Sequence, residues 1–409
     1  MGGIVPASTG RRNICAPGDG EVRRNKKKVH EFKKQNNKAI MKKFIISSAV
    51  LKKMLHKLSN AILAKPVLPV LANVWCKVTE GSIELIVSDL EVTIFYRQPC
   101  ETTGEGFEFF MPFDLIQKIV ALNMNCPLSF SLEKKGIKIT SEKGVYELKS
   151  SFKIEDFPKL QLVPKKISMP IPAEFVYFLT TALATVGTDE QRPECMKVLL
   201  ELTDKETTIA STDGSFCVFS YTMAVPAPAK EDIVISPKVI KALSGIEDMN
   251  LYWNAKVYAF ESKEVTIIVT RPDLKFKNFR AIFPPDYPSN LTVSHKEIVR
   301  ALENCSISND PMNEARIYFK KQKGQIVFIA KDPGSGININ YEVEGDYTGE
   351  VNSISFSFSL MLKLMKQIDF ENVEIASHLD EKGNEKAIVF RSPDNPCYLG
   401  LLMPLQKVD

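Results

Sequence analysis

Three aspartates recur at similar places in this 409-residue chain: Asp89 in "IVSDLEVTI", Asp213 in "IASTDGSFCVF" and Asp332 in "IVFIAKDPGSGININ". Carboxylates can hold divalent cations for phosphoryl transfer, so a metal-dependent nuclease is one reading of the trio. Their spacing argues against it. The aspartates lie 124 and 119 residues apart, so each sits in its own domain-sized unit and the three carboxylates are held far from one another. An aspartate bonding its own turn backbone is the simpler role. Other chemistry is also missing. There is no GxxxxGK[ST] phosphate loop, no GxGxxG after a strand, no HExxH and no GxSxG elbow. His30, His56, His295 and His378 are far apart; His56 and His295 read as surface residues on or beside helices. "GEGFEF" and "KDPGSG" read as hairpin turns. The eight cysteines show no metal-like spacing and read as reduced thiols of a cytosolic protein. No cofactor is implied, and no enzyme.

The elements that carry the corners repeat as well. A helix-like segment precedes each: "SSAVLKKMLHKLSNAI" from Ser47, "PAEFVYFLTTALATV" from Pro172 and "SHKEIVRALENCSI" from Ser294. In the first, Val50, Met54, Leu58 and Ile62 share one face. Ser294 and Glu297 fit a capping box. A second helix follows each corner: "PFDLIQKIVAL", "SPKVIKALSGI" and "SFSLMLKLMKQI". Around them the chain alternates in period two, as in "GIKITSEKGVYELKS" with a Lys143-Gly144 turn, "KVYAFESKEVTIIVTR" and "RIYFKKQKGQIVFIAK". Each unit therefore reads as two helices on mostly antiparallel sheet, an α+β arrangement. Proline-bearing connectors near 156–166 and 283–290 set the expected domains at 41–164, 165–288 and 289–409.

Charge is segregated. The chain carries +4, residues 1–40 carry +7, and the remainder is therefore −3. The basic tail lacks apolar periodicity and is expected to be disordered. It is either an arm for nucleic acid or localisation, or sequence upstream of a natural start at Met41. Within the acidic body the helices are basic: Lys52, Lys53, Lys57, Lys118, Lys238, Lys241, Lys296, Arg300, Lys363 and Lys366 stand on five of the six. The helix from Pro172 has none. If the units were joined into a ring with helices inward, the hole would be positive and would attract phosphates without reading bases. No apolar run approaches membrane length.

"KPVLPVLANVWCKV" (65–78), "IVSDLEVTI" (86–94), "EDFPKL" (155–160), "IASTDGSFCVFS" (209–220), "FPPDYP" (283–288) and "LLMPL" (401–405) together resemble the bacterial DNA polymerase III beta subunit, or sliding clamp, family. The resemblance runs in order from about Met41 to the end. It implies a head-to-tail homodimer whose six clamp domains form a ring around duplex DNA, with helices lining the hole. It implies tethering of a polymerase catalytic subunit, an ATP-using clamp loader acting from outside, and a place in the bacterial cytoplasm or a phage-infected cell. Its partner-peptide pocket falls on Cys195, Thr212, Gly214, Ser215, Phe216, Cys217, Pro285, Leu401, Leu402, Met403, Pro404 and Leu405. Ser215-Phe216-Cys217 stand where the family usually has His-Arg-Leu, and the chain runs past Met403-Pro404 to Asp409. DNA contacts fall on Lys65, Gln191 and Arg192, and the subunit interface on Tyr146 and Leu148 against Cys305 and Ile307. A monomeric three-domain peptide adaptor is the alternative.

Overall fold

The computed structural model describes residues 42–133, 136–149, 152–308, 314–320, 325–332, 334–349, 353–379 and 385–405. The basic tail lies outside them, as do Gln406–Asp409.

Six α-helices alternate with antiparallel strands in three rounds: α1 Ser48–Leu58, α2 Phe113–Leu122, α3 Ala173–Ala182, α4 Pro237–Leu243, α5 His295–Cys305 and α6 Phe358–Met365. Each begins where a strand ends, at Ser47, Pro112, Pro172, Ser236, Ser294 and Ser357. Proline at the N-cap or first helical position costs nothing there, because that N–H has no partner inside the helix. The expected capping box at Ser294 does not form: its hydroxyl makes no cap bond, and Glu297 pairs with Arg300 at 3.0 Å instead. Among the six N-caps only the Ser357 hydroxyl accepts a cap bond, from the Leu360 N–H at 3.4 Å. On α1 the buried stripe is Leu51, Met54, Leu55 and Leu58, with Val50 and Ile62 half-buried at its margins.

The three corner aspartates are turn-formers. Asp89 Oδ1 accepts the Glu91 and Val92 N–H groups at 3.1 and 2.8 Å. Asp213 Oδ1 accepts those of Ser215, Phe216 and Cys217 at 2.9, 2.7 and 3.0 Å. Asp332 Oδ1 accepts those of Gly334 and Ser335 at 2.9 and 3.2 Å. Gly214 at φ 77° supplies the left-handed residue its corner needs, and Leu90 takes the same conformation at φ 78° in the first repeat. Asp213→Ala leaves three N–H groups without their acceptor and is expected to cost about 2–4 kcal/mol in urea unfolding. A loss under about 0.5 kcal/mol would contradict this role.

Six strands decide how the repeats join: β1 Val92–Pro99, β2 Val145–Lys149, β3 Cys217–Met223, β4 Val265–Thr270, β5 Ile337–Thr348 and β6 Tyr398–Leu402. β1, β3 and β5 follow the three corners. β2, β4 and β6 close the strand set of each repeat. β1 pairs with β4, placing Ile94 opposite Ile267 and Val92 opposite Val269. β3 pairs with β6, placing Phe219 opposite Gly400. Sheets of eight and twelve strands therefore run unbroken from one repeat into the next.

One face of these sheets and all six helices share a single apolar core. The opposite face is covered by the connectors. Phe152, Phe157 and Leu160 lie over Trp75 and Phe110, while Leu274, Phe276, Phe279 and Phe283 lie over Val218, Val389 and Leu401. Helices pack in pairs, and α1 also touches α4 across the first seam, so they form one layer along one side.

Candidate functional site

Two surfaces answer to the sequence expectations: the helix layer and the second seam. On the helix layer Lys52, Lys53, Lys118, Lys241, Lys296, Arg300, Lys363 and Lys366 are exposed, as is Lys65 in the loop after α1. Lys366 meets Glu303 at 2.8 Å and Arg300 meets Glu297; exposed pairs of this kind hold little energy and open readily.

Three expected DNA contacts are committed to the fold instead. The Lys238 ammonium is shared by the Asp89 and Glu91 carboxylates, both at 2.7 Å across the first seam. Burial alone would lower its pKa, but the two carboxylates reverse this and raise it. Lys57 donates to the Ala242 carbonyl at 3.3 Å and to that of Ser244, capping the end of α4. Its pKa is lowered, first by burial and then by Lys53 beside it. Arg192 donates from Nε to Asp189 at 2.9 Å and from Nη1 to the Gly214 carbonyl at 2.9 Å and Ser215 Oγ at 2.8 Å. It braces the second corner, while Gln191 beside it is exposed. The helix from Pro172 is a seam element too: Tyr177 and Thr181 donate to the Gln367 carbonyl just past α6. His295 is buried, its Nε2 2.9 Å from the Met365 carbonyl, and is not the surface residue expected.

At the second seam a cavity of about 250 Å³ opens on the connector face. Thr212, Gly214, Ser215, Cys217, Leu401 and Met403 line it, as anticipated. Six expected members do not line it. Leu402 points to the helix side and is fully buried there. Cys195 is buried beneath the corner, where its Sγ would lie 2.8 Å from a Cβ on Gly214. Pro285 is exposed outside the cavity. Phe216, 53% exposed, stands off the lining and gives only its carbonyl, which accepts the Met403 N–H at 2.8 Å. Pro404 and Leu405 are half-buried and off the lining, with the Leu405 N–H on the Ser355 carbonyl at 3.0 Å.

The missed members are Val218, Lys277, Asn278, Phe279 and Ile282. The last two belong to a short helical turn of the connector, Phe279–Ile282. The signal for them is the apolar pair in "NFRAIF", in a segment that reads only as a linker. Lys277 is held at the rim by Glu194 at 3.2 Å. Burial first, and the Asp213 charge second, push the Cys217 thiol up to about 12, so it is an apolar wall and no nucleophile. The matching place at the first seam is more polar, with Ser88, Glu91, Thr93, Lys159, Gln161 and Thr270 in its lining beside Leu90, Pro158, Leu160 and Ile268. Of these two seam cavities, the second is the apolar one.

The expected subunit contacts divide likewise. Tyr146 and Leu148 are half-buried on the edge strand β2, beside Val145, which is 57% exposed. Ile307 is 60% exposed. Cys305 faces the core at 0% exposure and cannot meet another subunit without unfolding α5. Burial raises its thiol pKa to about 11.

The arrangement has close counterparts. Residues 42–161 match the model of the DNA polymerase III beta subunit N-terminal domain, and 280–405 match that of its C-terminal domain. The chain belongs to the DNA polymerase III beta subunit family. A Rickettsia felis protein named "Beta sliding clamp" is 21% identical over 387 residues, covering 90% of this chain and all of that one. The fold is that of a Bacillus subtilis sliding clamp structure (TM-score 0.81, 18% identity) and a Thermotoga maritima beta subunit structure (0.79, 19%). Each of these covers 90% of this chain and 100% of its own. Among the described residues no group of side chains is placed to hold a metal ion, and no helix is long and apolar enough to cross a membrane.

Proposed function

We propose that the chain is a non-catalytic DNA sliding clamp of three domains, bounded near 41–164, 165–288 and 289–409. Two copies close head to tail around duplex DNA and tether a polymerase. The observation that carries this is the pair of leftover strands. Each internal seam joins the strand after an aspartate corner to the closing strand of the next repeat. β5 and β2 are the two such strands without that partner among the described residues. Carrying over the register of the first seam puts Ile339 opposite Tyr146 and Ile337 opposite Leu148 of a second copy. An apolar edge left open invites such pairing. Exposed apolar residues also stand at the same two ends: Leu122 at the last position of α2, Met124 just past it, and Ile307 past α5.

Sedimentation of the full chain at micromolar concentration tests the ring. The expected particle has twice the 45.9 kDa of one chain. A particle of single mass favours a monomeric adaptor instead.

Within the ring the helix layer faces the duplex and makes weak phosphate contacts that permit sliding. Replacing Lys52, Lys53, Lys241 and Lys363 by Glu is expected to weaken retention and flatten its salt dependence, by about 0.9 in slope for each phosphate no longer neutralised. Lys238→Glu should lower stability through Asp89 and Glu91 instead. An unchanged slope in the fourfold variant would remove the helix layer from DNA binding.

The second-seam pocket takes short peptides with Leu or Phe anchors, carried by the polymerase catalytic subunit and by a loader that spends ATP to open the ring. The chain has no phosphate loop of its own.

A further inference from the structure

We infer that the second seam holds a further compartment beside the apolar pocket, one that takes a carboxylate of the bound peptide two to four residues from its anchor; this rests on the peptide pocket proposed above. A cavity of about 620 Å³ lies on the connector face, and Phe279 is a wall it shares with the apolar pocket. The floor is continuous. Val218 and Leu401 lie under the apolar pocket, whereas Ser220 and Thr222 of β3 and Leu399 of β6 lie under the second cavity. Alternate residues of a strand share a face, so the shift is two to four residues, about 7–13 Å at ~3.3 Å per residue. It runs toward Cys397 and away from Met403. An extended peptide covers that span in the same number of residues.

Arg391 gives this compartment its chemistry. It ends the strand Glu385–Arg391, pairs opposite Leu399 and lines the cavity. Its guanidinium lies over the Tyr287 ring at 4.8 Å, and its side chain is 35% exposed. The Nε atom is buried and has no hydrogen-bond partner. Glu374 Oε2 stands 3.4 Å from it, near enough for attraction but not aligned for a hydrogen bond. The other Glu374 oxygen accepts the Asn290 amide, which ties that carboxylate to the strand Ser289–Ser294. The neighbouring cations are engaged. Arg280, also on the lining, donates to both oxygens of Glu201 at 3.1 and 2.5 Å, and Lys277 at the rim of the apolar pocket meets Glu194. Arginine offers a carboxylate two parallel N–H groups, and a donor with no bond to give up gains most from the exchange.

The experiment is calorimetry of the full chain with two synthetic peptides that share one Leu-Phe anchor. One carries glutamates two to four residues away on each side of the anchor, so that either chain direction lays an acidic residue over Arg391; the other carries glutamines there. The parent is expected to bind the glutamate peptide about three- to tenfold more tightly at about 50 mM salt, with a smaller preference at about 500 mM. Arg391→Gln should erase the preference and leave the affinity for the glutamine peptide unchanged, which also shows that the variant is folded. Arg391→Lys should keep only part of it, because an ammonium has no fork. Glu374→Gln should enlarge it by removing a like charge. A parent without the preference, or a preference that survives in Arg391→Gln, overturns the inference and leaves the apolar pocket standing. A parent that binds neither peptide overturns the pocket, and the inference with it.

Discussion

Replacing Leu148 and Ile339 together by lysine is expected to leave the chain monomeric at micromolar concentration. Each aliphatic side chain contributes roughly 1.5–3 kcal/mol when buried, and two lysines at diagonal positions on one face of the seam add repulsion. The dissociation constant should rise by roughly a hundred- to ten-thousand-fold. Both residues are only half-buried in the single chain, so unfolding of the monomer should be little changed. The single variants should each show part of the effect. Leu148→Lys with Ile307→Lys tests the same seam at its helix end, where Ile307 lies past α5. A double variant at 148 and 339 that sediments as a dimer places the seam elsewhere.

The second large effect concerns the pocket between repeats two and three. Ile282 is 47% exposed and Met403 38% exposed at its mouth, so both can be changed without opening the core. Methionine adapts to varied apolar partners, and an acidic residue at position 282 would desolvate unpaired against an apolar anchor. Ile282→Asp with Met403→Ala should weaken a Leu- or Phe-anchored peptide by about 2–4 kcal/mol, or roughly thirty- to a thousand-fold by calorimetry. Dimer mass should not move. Phe216→Ala should do less, because Phe216 gives its carbonyl rather than its ring to the site. Unaltered peptide affinity in the double variant means the peptide docks on another surface.

Periodicity carries the fold well where it has a strong local cause. The six helices and the three aspartate corners follow from apolar spacing, proline at strand ends and turn chemistry, all of which act within a few residues. Pairing between repeats is not legible, because which strand meets which edge is settled by whole-domain packing. That is why Cys305, which the family resemblance places in the subunit interface, instead completes the α5 core stripe with Ile298, Ala301 and Leu302. Lysines pose the same problem. Lys238 and Lys241 look alike in "SPKVIKALSGI", yet one faces the Asp89 corner and the other faces solvent. No one-dimensional pattern tells a lysine that binds phosphate from one that clasps a seam. In the pocket Cys217 of β3 and Leu401 of β6 are among the members the resemblance supplies, Val218 of β3 is not, and the connector members are not legible because a short helical turn such as Phe279–Ile282 has too few residues to show a period.

Topological enclosure of DNA is the claim on which all else rests, and retention on circular against linear DNA measures it most directly. The chain is loaded onto nicked circular duplex, separated from free protein, and half of the sample is then cut once with a restriction enzyme. The ring predicts that protein stays on the intact circle and slides off the cut DNA, at a salt concentration that strips simple phosphate binders. Equal retention on both forms, or equal loss from both, would contradict it.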